Sequence, residues 1–186
     1  MSEYPYLKLQ KPGQYAKENE TLFKEALEAA KDADKVIFFG GLDHNYDIEG
    51  ADRPDMKLPY DQDIIIEKLL DVRPDTIVVL NGGSPVEMPW VNDVKGILES
   101  YLAGESVGTA QIDLLFGKAN PCGKLAETFP VKTSDNPTFL NFPGNGHDVN
   151  YAEGIYIGYR YYDKNEMQVQ FPSGHGLSYT TFDYPD

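Results

Sequence analysis

One cysteine, one tryptophan, three histidines and 16 basic residues stand in a chain of 186 that carries 30 acidic ones. The lone Cys122 has no partner for an internal disulfide, so neither an oxidising nor a reducing compartment is indicated, and a packed, inert thiol is expected. A net charge of -14 repels phosphate backbones and anionic lipid surfaces alike, which excludes nucleic acid and membrane as partners. No run approaches the roughly 20 apolar residues that span a bilayer. The opening MSEYPYLKLQKPG lacks the basic-then-apolar order of a signal peptide, so nothing in it targets or anchors the chain and the cytoplasm is favoured. Missing too are three motifs of cofactor or serine chemistry. Neither apolar run is followed by G-x-G-x-x-G or a P-loop, and GGSPV around Ser84 and GLSYT around Ser178 lack the second glycine of a nucleophile elbow.

What is present suffices for the core of one domain: 41% hydrophobic and 12% aromatic residues. Residues 1–18 show neither helical nor strand periodicity and read as a linker or arm, with the domain proper at 19–186. Leu22, Phe23, Ala26, Leu27 and Ala30 repeat at helical spacing behind a candidate Asn19 cap, which predicts a helix over 20–33. KVIFFGG at 35–41 and TIVVLNGG at 76–83 share one design, an apolar run closed by two glycines, and predict strands covered on both faces. Between them Ile64, Ile65, Leu69 and Leu70 form a helical face that Arg73-Pro74 stops. A third, weaker strand falls within VKGILESYL, followed by a helix over 105–116 that ends at Gly117. Alternating strands and helices predict an α/β fold, a three-layer αβα sandwich around a mostly parallel sheet. Three or four strands are few for such a sheet, so it is expected to be incomplete on its N-terminal side. Beyond residue 120 the pattern dissolves into a long irregular tail with one expected strand at KLAETF, and its aromatic residues exceed what a thin sheet covers.

In open parallel sheets ligands gather beyond the carboxyl ends of the strands, which directs attention to GLDHNYDIEGADRPDMKLP at 41–59. The loop crowds Asp43, Asp47, Glu49, Asp52 and Asp55 around a single strong cation, Arg53. Like-charge repulsion raises the pKa of some member of such a crowd, as a general acid requires. Glu49 is the best candidate. Gly50 beside it permits a sharp turn, and the Asp52-Arg53 pair could hold the loop or meet sugar hydroxyls. The residue chemistry alone leaves a solvated acidic loop as the other reading. A metal site built on Asp43, His44, Asp47 and Glu49 has the wrong spacing for a calcium loop and too few histidines for zinc. His175, between two glycines, reads as a structural histidine in a turn, and Tyr156, Tyr159, Tyr161 and Tyr162 as core or domain interface.

Taken in order, the acid loop, TIVVLNGGSPVEMPW, GKLAETFP, YAEGIYIGYRYYD and FPSGHGLSYTTFDY resemble the second, αβα-sandwich domain of family 3 glycoside hydrolases. Five strings over residues 21–184 carry the resemblance. It implies that Glu49 is the general acid/base and that Gly50, Asp52 and Arg53 complete its motif. Ser173 departs from the pattern, standing where an aromatic residue is common. The implied activity is retaining hydrolysis of terminal β-D-glucosyl residues, needing no metal or organic cofactor, with the nucleophile an Asp on a separate (β/α)8 barrel. That barrel and the first strands of the sandwich are not recognisable here, so the chain alone is expected to be inactive and to match the portion that follows an insertion in many relatives. VEMPW and IGYRYYD favour a glucosidase, whereas the GLD opening is reminiscent of β-xylosidases in the family. A non-catalytic carbohydrate-binding or interdomain module is the alternative from another class, and a flavodoxin-like binding domain has only the two diglycine turns behind it.

Overall fold

The computed structural model describes residues 11–183 and 185. The chain divides into two compact units, Met1–Gly104 and Glu105–Asp186. Residues 1–10 of the expected arm lie outside the described residues. The rest of it holds a five-residue helix, α1 (Gln14–Glu18), that sequence periodicity missed. Its cap comes from far along the chain, because the Asp61 carboxylate accepts from the N–H groups of Gly13 (2.7 Å) and Ala16 (3.0 Å).

Among the described residues three helices and three strands occupy the first unit. They are α1, α2 (Glu20–Asp32), β1 (Ile37–Gly41), α3 (Gln62–Val72), β2 (Ile77–Asn81) and β3 (Gly96–Glu99). The strands form an open parallel sheet in the order β1-β2-β3, with Ile37 opposite Ile77 and Ile77 opposite Gly96. This sheet with α2 and α3 packed together is an α/β sandwich, as the alternating pattern predicts. Asn19 does not cap α2 with its side chain. Its amide donates instead to Tyr15 O at 2.9 Å.

The apolar runs became strands, but only one is fully covered. Val78, Val79 and Leu80 of β2 are 0–1% exposed, whereas Phe39 of β1 is 51% exposed. The expectation of two-sided cover therefore fails at β1, which lies at the edge of the described sheet. The buried stripe of α3 is Gln62, Ile66 and Leu69, not the predicted set of Ile64, Ile65, Leu69 and Leu70. Gln62 can be buried because its amide pairs with the backbone of Gly41: the Gly41 N–H donates to Oε1 and Nε2 donates to the Gly41 carbonyl, each at 2.8 Å. Arg73 at the end of α3 donates to the carbonyls of Ala33 and Asp34 and pairs with Asp75, tying the helix to the approach of β1.

The second unit contains α4 (Val107–Leu115), a 3-10 turn at Thr133–Asp135 and α5 (Tyr159–Lys164). α4 ends before Gly117, whose φ of +70° suits a residue without Cβ. KLAETF is not a strand. It runs beside 170–176 and meets it at one antiparallel bridge, Phe129 with Phe171, and through Leu125 with Gly174 and His175. Pro172 has no N–H to continue a ladder. Phe129 and Tyr162 are buried here, and the His175 ring stacks on Phe171 at 5.0 Å within the Pro172–His175 turn, the structural role expected of it. Of the tyrosine stripe only Tyr162 is buried, with Tyr161 edge-on to it, while Tyr156 and Tyr159 are exposed. Cys122 is exposed too, which corrects the packed-thiol reading. Phe139, Leu140, Tyr151 and Ile155 add to the apolar surface anticipated for the tail.

Candidate active site

The acid loop leaves the carboxyl end of β1 through Gly41, a position closed to any other residue. Its φ is +130°, and a Cβ there would stand 1.9 Å from Asn81 O. Asp43 then folds the chain onto itself: its carboxylate accepts from the Asn45 N–H (2.9 Å) and its carbonyl from the N–H groups of Tyr46 and Asp47. Tyr60 Oη also donates to Asp43, at 2.8 Å. Burial pushes the Asp43 carboxyl up, but the bonds from Tyr60 and Asn45 outweigh it and hold the group below the usual carboxylate range. The rise expected for some member of the acidic crowd therefore does not fall on Asp43. Tyr60 moves upward, through burial and its bond to Asp43.

Beyond Asp47 the loop closes a small hairpin. Ile48 and Ala51 form an antiparallel bridge, leaving Glu49 and Gly50 at the tip, where Gly50 takes a φ of +81°. Glu49 is exposed there, and Asp52 lies exposed just after the bridge. Arg53 turns inward. Its Nη2 donates to Ser84 Oγ at 2.8 Å and to Pro85 O at 3.0 Å. The adjacent pair thus separates, Asp52 facing solvent and Arg53 bracing the loop. Burial draws the guanidinium below its ordinary range, against the pull of Asp47 and Asp55. Nη1 of Arg53 is buried and has no hydrogen-bond partner among the described residues.

Two further ties fix the loop to the segment after β2. Asp47 Oδ2 accepts from the Gly83 N–H at 2.5 Å, and Met56 O accepts from the Glu87 N–H at 2.8 Å. A Cβ on Gly83 would come within 2.9 Å of that carboxylate oxygen. Hairpin tip and braces together present Glu49 to solvent from a loop held on both sides. Beside the root of the loop, Phe39, Leu42, Asp43, Tyr60, Gln62 and Asn81 help line a groove of about 420 Å³. Among the described residues no group of three or more His, Cys, Asp and Glu side chains could hold a metal ion. Nor is any helix there long and apolar enough to cross a membrane. Ser84 serves Arg53, and Ser178 bonds Asn120.

Sequence reasoning picked out Glu49, Gly50, Asp52 and Arg53, and the structure sets all four on or beside one hairpin. It missed Tyr60, Gln62, Asp63 and Gly83. Tyr60 and Asp61 both take positive φ, +60° and +56°, a conformation that no local pattern announces in residues with side chains. Asp63 accepts from Trp90 Nε1 at 2.8 Å, and burial raises its carboxyl to about 6.

Residues 4–179 match the glycosyl hydrolase family 3 C-terminal domain. The chain is 52% identical over 168 residues to thermostable beta-glucosidase B of Acetivibrio thermocellus, covering 90% of this chain and 22% of that protein. It is 47% identical over 163 residues to probable beta-glucosidase I of Emericella nidulans, covering 88% and 19%. Among solved structures, the beta-glucosidase from Kluyveromyces marxianus in complex with glucose superposes with a TM-score of 0.86 at 39% identity, covering 89% of this chain and 20% of that one. The Bifidobacterium adolescentis GH3 beta-glucosidase gives 0.82 at 43%, covering 87% and 24%. The chain spans about a fifth of the length of these relatives. With that match over nearly all of its residues, the chain belongs to glycosyl hydrolase family 3, in the part that forms the family's C-terminal domain.

Proposed function

We propose that this chain is the acid/base-bearing domain of a retaining β-glucosidase, with residues 19–186 as the sandwich and 1–18 as an arm. The observation that carries the reading is the hairpin: an exposed Glu49 on a Gly50 turn, with Asp47, Arg53 and Met56 bracing the loop around it. A retaining mechanism requires a second carboxyl about 5 to 5.5 Å from the first. On this reading it is an aspartate of a (β/α)8 barrel outside this chain. The aspartate attacks the anomeric carbon while Glu49 gives its proton to the departing oxygen. Glu49 then takes a proton from water, which displaces the aspartate and releases the sugar with its configuration retained. On this reading Arg53, through Ser84 Oγ and Pro85 O, holds the loop in place. Relatives named as β-glucosidases, one of them holding glucose, favour a glucoside over the xyloside that the GLD opening suggests.

The test is Glu49→Ala in an enzyme that supplies the barrel. Hydrolysis of cellobiose should fall by roughly 10²- to 10⁴-fold, since its leaving oxygen cannot depart unprotonated. Dinitrophenyl glucosides should still form the glycosyl-enzyme and then stall, and added azide should restore turnover to give β-glucosyl azide. Substitutions at Asp43, Asp47 and Asp55 should show no azide rescue. Cellobiose hydrolysis at the parent rate, or rescue at Asp52 instead, would show that the acid/base lies elsewhere. The chain alone should not release nitrophenol from aryl β-glucosides.

A further inference from the structure

The segment that receives the acid loop is not itself part of the sheet. Residues 82–90 follow β2 without ladder bonds, yet Val86, Met88 and Trp90 alternate inward and are 3%, 3% and 1% exposed. Other groups of the segment hold the loop: the Gly83 N–H on Asp47, Ser84 Oγ and Pro85 O on Arg53, and the Glu87 N–H on Met56 O. A segment outside the ladder needs another anchor to keep this register. The polar contact that reaches into the packing is the Trp90 indole, a donor with no acceptor capacity, whose Nε1 donates to Asp63 Oδ1 at 2.8 Å. Asp63 stands in the first turn of α3, a helix that packs through the wholly buried Ile66.

We propose that Asp63 is a positioning residue for the acid loop: by fixing the Trp90 indole it sets the 82–90 segment, and through that segment the loop that carries Glu49. The carboxyl holds this place under electrostatic load. Burial raises its pKa to about 6, the Trp90 bond opposes that rise, Glu67 and Glu87 add to it, and Lys57 opposes it. Either protonation state keeps an oxygen to accept the indole hydrogen, so the anchor persists while its charge changes. A leucine at this position leaves the buried N–H without an acceptor, and the segment loses its fixed point.

The catalytic meaning of this role rests on the acid/base assignment of Glu49, but the test does not. It reads the chain itself, without substrate, so the two readings fail separately. Trp90 is the sole tryptophan, which makes its emission a direct report on the Asp63 carboxyl. Emission should titrate with a midpoint of about 6 in the parent chain and lose that step in Asp63→Asn. Amide hydrogen exchange at pH 7 should rise by about tenfold or more at Gly83 and Glu87 in Asp63→Leu and in Trp90→Phe, while Val79 at the centre of β2 stays protected. Asp63→Asn should bring Gly83 and Glu87 back to the parent rates, because its amide oxygen accepts the same bond. Unchanged exchange at Gly83 and Glu87 in both disrupting variants would overturn the proposal. So would an equal rise at Val79, which would make the pair ordinary core packing, or a failure of Asp63→Asn to restore protection.

Discussion

β1, IFFGG, and β2 with the two glycines that follow it, IVVLNGG, are written in nearly the same way, and the fold treats them differently. β2 lies between two strands and buries Val78, Val79 and Leu80 completely, whereas β1 has one neighbour in the described sheet and leaves half of Phe39 exposed. Their glycines differ as well. Gly41 passes so close to the backbone of Asn81 that no Cβ fits, while Gly82 and Gly83 face side chains, Leu42 and Asp47. The glycines after β2 thus make room for the loop that follows β1, whereas Gly41 makes room for the end of β2 itself. The two runs share a pattern and both become strands; their neighbours determine how deeply each is buried.

The sharpest way to break this comparison is at the glycines. Gly41→Ala drives a methyl into Asn81 backbone at a φ of +130°, and should destabilise the chain by more than about 4 kcal/mol or prevent folding. Gly83→Ala meets a movable carboxylate and should cost about 1 to 2 kcal/mol, with a urea midpoint still measurable. Equal losses at the two sites would show that the turns are equivalent after all.

Next in size is the charge beneath the β2 turn. In the folded chain the Asp63 carboxyl is raised to about 6, against about 3.9 unfolded, so the fold prefers its protonated form. Its stabilising contribution is therefore complete below about pH 4 and is lost as pH rises through 6, by up to about 3 kcal/mol less what water screens at a partly exposed group. Asp63→Asn should abolish that slope and unfold at higher urea than the parent at pH 8. The same slope in the variant would place the titration on another group.

Strand interiors give a smaller contrast. Val79→Ala removes methyls from a fully buried site and should cost about 2 kcal/mol, whereas Phe39→Ala at the half-exposed edge should cost less than about 1. Gly50→Ala should cost about as little as the edge substitution, since a Cβ would touch nothing within 4 Å and only the φ of +81° resists. About 1 kcal/mol of stability should go. Urea unfolding of the three variants checks both statements.

Much of this was legible in the sequence because it is local. Helical spacing marked α2 to within a residue or so, and the apolar runs marked all three strands. Glu49-Gly50 and Asp52-Arg53 could be singled out because the glycine turn and the charges lie side by side. What could not be read are the contacts that join distant positions. Arg53 reaches Ser84 across 31 residues, Asp47 reaches Gly83 across 36, and Asp61 caps a helix 45 to 48 residues before it. No periodicity encodes such pairs, and the bond that helps to lower the Asp43 carboxyl is another of them, since Tyr60 lies 17 residues away. KLAETF failed for a related reason. Its alternation suits a strand, but the neighbour it found contains Pro172 and offers one bridge.

Gln62 has a consequence for whatever the rest of such a protein brings to the sheet. In a parallel ladder alternate residues turn their peptide groups to opposite sides, so Ile37, Phe39 and Gly41 face away from β2. At Gly41 the amide of Gln62 supplies both a donor and an acceptor, as the peptide of an adjoining strand would. A glutamate of the same length would offer oxygens alone and repel the Gly41 carbonyl. The side-chain amide thus satisfies the backbone at the root of the acid loop without a ladder partner, so a strand added at this edge would have to stop before Gly41 or displace Gln62.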